Sequence, residues 1–165
     1  MSAVAPHPPV AAYAGIVTRA VAFVVDLLIL NGLLVGGALV VGLIIEAFGH
    51  FSADADLEGA LLAGATWTIA FTIYFTAWWS LTGQTPGMRA LGIKVLATTG
   101  ARIRPRRGLL RVAGMALAAI PFFAGYLLIL VNDRRRGLHD LIARTVVIYV
   151  ERERPVPRRG VRAPA

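Results

Sequence analysis

Apolar residues along this chain gather into three long blocks, Ala20–Ile45, Ala60–Leu81 and Leu109–Val131, with polar and charged stretches between them. Each block, wound as a helix at about 1.5 Å per residue, is long enough to cross about 30 Å of hydrocarbon. The pattern predicts an all-α integral membrane protein, a small helical bundle in which the first two blocks are full spans. The third block carries Pro121 near its middle and Gly125 soon after, and either can break a helix. It predicts a third apolar element, either a span broken at Pro121 or a re-entrant hairpin running about ten residues in and ten back, which is tolerated where protein packs around it.

Charge orients the blocks. The stretch Glu46–Gly59 holds Glu46, Asp54, Asp56 and Glu58 and no basic residue, whereas Thr82–Arg111 holds seven basic residues and no acid. Basic loops stay in the cytoplasm. The N-terminus is therefore expected inside, with the first block running outward and the second returning. Trp78 and Trp79 close the second block where an aromatic belt would lie. Nine arginines follow Asn132, and a full third crossing would carry them outside. The same rule thus favours the hairpin, which keeps Arg134, Arg135 and Arg136 in the cytoplasm.

Composition sharpens the class. The chain is 57% hydrophobic over 165 residues, too apolar for an ordinary soluble domain of its size. Its net charge of +8 comes from basic residues that flank the apolar blocks, where anionic lipid headgroups lie. No helix-turn-helix, zinc or RNA-binding signature accompanies that charge, so no nucleic acid partner is expected. Cysteine is absent, which removes disulfides, thiol nucleophiles and Cys-based metal sites. The histidines His7, His50 and His139 lack ligand spacing, and Asp54-Ala-Asp56-Leu-Glu58-Gly59 fails as a calcium loop because its twelfth position is Ala65. No metal, no cofactor and no catalytic constellation is expected, and the chain reads as a non-enzyme.

Between the second and third blocks, Leu91–Leu96 and Ala101–Arg104 flank a Thr99-Gly100 turn, and Thr145–Val150 is rich in β-branched residues. These segments predict a small cytoplasmic girdle of amphipathic and β structure. The domain is expected over residues 14–150, with a mobile tail over 1–13 and a disordered Arg- and Pro-rich tail over 151–165.

Four groups of residues carry candidate chemistry. Asp26 lies about two turns inside the first block, where a carboxylate costs a few kcal/mol unless it has a partner, water or a task. Arg19, seven residues earlier and on the same helix face, lies about 10 Å along the axis, too far for easy direct contact. Two other partners suit Arg19: a phosphate headgroup, or Asp140 from a segment docked beneath the bundle, in which case reversing both charges should rescue either single change. Gly83-Gln84-Thr85-Pro86-Gly87 predicts a tight elbow that brings Arg89 along the membrane surface, with backbone amides that can cradle an anion or a carboxylate. Arg106, Arg107, Arg111, Arg134, Arg135 and Arg136 form the expected basic face for anionic lipid or a partner. The small-residue pairs Gly32/Gly36 and Ala60/Gly64 permit close helix approach, within the chain or between copies.

Arg19 and Asp26, then GQTPGMRALGIKVL at Gly83–Leu96, then RRGLHDLIARTVVI at Arg135–Ile148, resemble the RDD family of membrane proteins. The arginine and two aspartates for which that family is named would here be Arg19, Asp26 and Asp140. Met88 stands where many relatives carry a basic residue. The resemblance implies a multi-pass membrane protein associated with transport, in some relatives with exchange of alkali cations for protons, or an accessory part of a larger assembly. Three short elements cannot readily enclose a polar path alone, so a homo-oligomer or a host membrane complex is the expected partner.

Overall fold

The computed structural model describes residues 13–48 and 57–150; most of both predicted tails and residues 49–56 of the acidic loop lie outside the described residues. Among the described residues two helices are long and apolar enough to cross a membrane: α1, Ile16–Phe48, and α2, Leu57–Leu81. Both extend beyond the apolar blocks that predict them.

The third block is broken where the sequence places the break. Helix α4, Pro105–Ala119, and helix α5, Ala124–Val131, meet at a bend of 104° across Ile120–Phe123. Pro121 has no N–H to continue the α4 ladder, and Phe122 and Phe123 adopt left-handed backbone, with φ of 48° and 61°. Gly125, by contrast, is no breaker. It sits inside α5 and lets that helix close on α4: a Cβ there would stand 2.7 Å from both Cα and Cβ of Ala118. The Tyr126 hydroxyl then donates to the Met115 carbonyl at 2.9 Å, tying the two arms together.

The remaining elements gather at one end of the bundle. These are α3 (Pro86–Ala90), β1 (Ile93–Ala97), α6 (Leu138–Ala143) and β2 (Thr145–Tyr149). The Thr99-Gly100 turn forms, with Gly100 at φ 80°, but Ala101–Arg104 does not return as a strand. β1 pairs instead with β2, antiparallel, from Ile93↔Tyr149 to Ala97↔Thr145. The start of the chain joins the same sheet through a Tyr13↔Ile148 bridge and an Ala14 N–H bond to the Val147 carbonyl. The beginning of α1, the end of α2 and the chain after α5 therefore all lie at the same end.

An aromatic ladder fills the core. Phe71, Phe75 and Trp79 recur every four residues along one face of α2, and Phe23 of α1 packs on Phe75 with ring centroids 5.6 Å apart. Trp79 is 1% exposed, so it belongs to this core and not to a surface belt, whereas its neighbour Trp78 is half-buried. Away from the sheet end the helices part. From Asn31 to Ala47 only Leu34 and Gly42 are even partly covered, and α2 is exposed from Leu57 to Ile69.

Candidate functional site

Asp26 is fully buried, and every donor it receives is neutral. Thr85 sits at the N-cap of α3, where its hydroxyl oxygen accepts from the Met88 N–H at 3.2 Å and its proton goes to Asp26. The Gly87 N–H donates to Asp26 at 2.8 Å, and the Tyr74 hydroxyl of α2 at 3.0 Å. The elbow amides thus cradle a carboxylate from the same chain. Gly87 makes this approach feasible: a Cβ there would stand 2.3 Å from the Ala22 carbonyl oxygen, one turn before Asp26 on α1. The elbow itself is held by Gly83 at φ 76°, by a Val95 N–H bond to the Gly83 carbonyl, and by Gln84 donating to the Ile93 carbonyl. Arg89 leaves it exposed, beside the Trp78 ring.

Arg19 does not meet Asp26. Its guanidinium donates to Asp140 at 2.5 Å, to the Ala14 carbonyl at 3.0 Å and to the Arg135 carbonyl at 2.6 Å. The predicted docking of the Asp140 segment is therefore present, but it involves a second arginine. Arg111 of α4 pairs with the other Asp140 oxygen and donates to the Thr145 hydroxyl at 2.7 Å, while its guanidinium lies over the Trp79 ring, 4.8 Å from the centroid. Asp140 also accepts from the Thr145 hydroxyl and from the Gly137 N–H ahead of α6. Burial works against its charge, yet the facing Arg111 and Arg19 guanidiniums hold it well below the usual carboxylate range. Burial also lowers the neighbouring His139 to about 4, leaving it neutral at neutral pH.

The expected basic face is thus smaller than its sequence suggests. Arg111 is 3% exposed and belongs to the ion cluster. Arg135 is half-buried, with its side chain reaching the Tyr13 carbonyl at 3.4 Å and its own carbonyl holding Arg19. Arg106 is exposed, and Arg107, Arg134 and Arg136 are half-buried. Reading Arg111 as surface charge followed from its place at the edge of an apolar block. It is nevertheless the third residue of that block, and the argument that singles out Asp26 applies to it equally.

Between the two polar groups lies a cavity of about 290 Å³. Arg19, Asp26, Arg111 and His139 all reach its wall, which is otherwise mostly apolar and includes Phe23, Phe75, Met115 and Ile129. This chamber joins all six helices, α1 to α6. Of the residues expected at the site, Arg19 and Asp26 line this one space, and Asp140 is held by its pairing with Arg19.

The family model described as "RDD family" matches residues 13–144 of this chain. The chain belongs to the RDD family. Over 65 residues this RDD chain is 35% identical to a protein of Bacillus subtilis (strain 168) named "Uncharacterized protein YxaI"; the match covers 39% of this chain and 42% of that relative. The chain thus spans less than half the length of that relative. No solved structure matches it.

Proposed function

We propose that this RDD-family chain is a multi-pass protein of the cell membrane, of the bacterial inner-membrane type, that moves a small ion or solute through its cavity. The observation that carries this reading is the cavity itself, a mostly apolar chamber whose wall includes Asp26, Arg19 and Arg111. Buried ionisable groups facing a chamber inside a helix bundle are the usual mark of a transport path. Charge asymmetry supports a cytoplasmic N-terminus, and the return of α5 supports a third block that enters the membrane and comes back. The remaining basic residues, Arg106, Arg107, Arg134 and Arg136, suit anionic headgroups on the cytoplasmic side. No step of the reading calls for catalysis.

A second reading is an accessory subunit of a larger membrane complex. The unpacked outer halves of α1 and α2 favour it: Gly32, Gly36 and Gly64 have open space where a Cβ would stand. Among the described residues nothing packs against those glycines, which suits partner helices or a second copy. The test is cation-triggered proton movement in vesicles holding the purified protein, with Asp26→Asn at matched insertion. Asn keeps an acceptor for Gly87 and Tyr74, so the elbow stays docked. The transport reading expects flux in the native protein and at least a tenfold loss in the variant. Absence of flux in both, across several cations, gives the accessory reading.

A further inference from the structure

Asn31 lies on α1 where the bundle no longer covers it. Its side chain is exposed near the middle of the first apolar block, and from Leu27 to Ile45 it is the only polar side chain. One Nδ2 hydrogen goes to the Leu27 carbonyl at 2.8 Å. The other Nδ2 hydrogen and the Oδ1 acceptor have no partner among the described residues. Hydrocarbon offers neither donor nor acceptor, so a carboxamide at this depth is costly until another polar group meets it. The bundle itself does not supply one. Ala22, Asp26 and Leu30 mark the buried face of α1, and Asn31 lies about 140° round the helix from Asp26, turned away from the other elements.

The residues in line with Asn31 form a seam. Leu28, Asn31, Val35, Ala38, Gly42 and Ile45 follow one another at alternating steps of three and four, the spacing that keeps one helix face against a parallel partner. All are exposed except Gly42, which is partly covered yet has open space where a Cβ would stand. Leu28, Val35 and Ile45 give apolar bulk, while Ala38 and Gly42 let a second backbone come close. A single asparagine in such a seam fixes the register, because only one alignment pairs it. Its chemistry also selects the partner. A carboxamide carries donor and acceptor on one group and is its own complement: about a two-fold axis, each Nδ2 donates to the other Oδ1. Two copies of one chain inserted the same way run parallel, which brings Asn31 opposite Asn31 at the same depth.

We propose that two copies of this chain pair in the membrane through this seam of α1, with the two Asn31 carboxamides bonded to each other. The pairing goes beyond the transport reading and does not depend on it. Two measurements on the full chain test it. Single cysteines are introduced as Ala38→Cys, on the seam, and as Val40→Cys, which is also exposed but about 160° round the helix. Oxidation of membranes with copper–phenanthroline should link Ala38→Cys into dimers at least fivefold faster than Val40→Cys. Energy transfer between two pools labelled at Thr99→Cys, mixed in zwitterionic vesicles, then reads the affinity. Asn31→Leu should weaken association at least tenfold with unchanged helix content, because nothing within the chain packs on that face.

Equal linking at the two cysteines means random collision and overturns the proposal. An Asn31→Leu chain that associates like the native one also overturns it, since the carboxamide then holds nothing. Absence of energy transfer in the chain with Asn31 intact overturns it too, and leaves that residue to a helix of another protein. Association without flux in vesicles supports the pairing and removes the transport reading. Flux from a chain that does not associate removes the pairing alone.

Discussion

Asp140 gathers two guanidiniums, a hydroxyl and a backbone N–H around one buried carboxylate. Removing Arg19 or Arg111 leaves Asp140 paired with the other arginine, so what is lost is a buried hydrogen bond to a charged group, about 1.5–3 kcal/mol. Arg19→Met and Arg111→Met are each expected to lower stability by that amount, read as thermal unfolding in detergent. The presence of Arg111 changes what a charge swap does. A lone Arg19–Asp140 pair predicts rescue by Arg19→Asp with Asp140→Arg; here the new arginine would face Arg111, so the double variant should stay as unstable as the singles. Recovery to native stability would show that Arg111 does not contribute. Arg19, Asp26 and Asp140 were legible in the sequence because two of them interrupt or border an apolar run and all three sit in family motifs. Arg111 was not, since a charge near a block edge looks like any flanking charge until its partner, 29 positions on, is known.

Helix α5 depends on a residue the sequence assigns to breaking it. Gly125 brings α5 against Ala118, and Gly125→Ala should force the arms apart at a cost of about 1–3 kcal/mol. Gly36→Ala, with open space around it, should leave thermal stability unchanged or higher. Equal losses in the two variants would refute the role given to Gly125. Apolar periodicity identified α1, α2 and the break in the third block, because these are local properties of the chain. The sheet was harder to read. Thr99-Gly100 turns as its residues dictate, but the partner of β1 lies some fifty residues away and was chosen by burial of Val95 and Val147, both fully buried, and not by adjacency.

At the scale of the whole molecule, both ends of the described chain meet at one end of the bundle. That arrangement expects Thr99 and Val150 on one side of the membrane and Leu57 on the other. The native chain has no cysteine, so Thr99→Cys, Val150→Cys and Leu57→Cys can each be labelled with an impermeant thiol reagent. Leu57→Cys should react in intact cells, and the other two only after permeabilisation. Reaction of Val150→Cys in intact cells would mean that the third block crosses fully. The distance in sequence between Arg19 and Asp140, 121 residues, also has a bearing on synthesis. Helix α1 leaves the ribosome before α6, and the carboxylate that neutralises its arginine is among the last of the described domain to be made. Until then Arg19 and Arg111 have no shared anion, and a chain halted before α6 carries both cations unmatched. Synthesis of α6 is thus the event that closes this end of the bundle, and chains halted before it should be marked for degradation by the charge they leave unpaired.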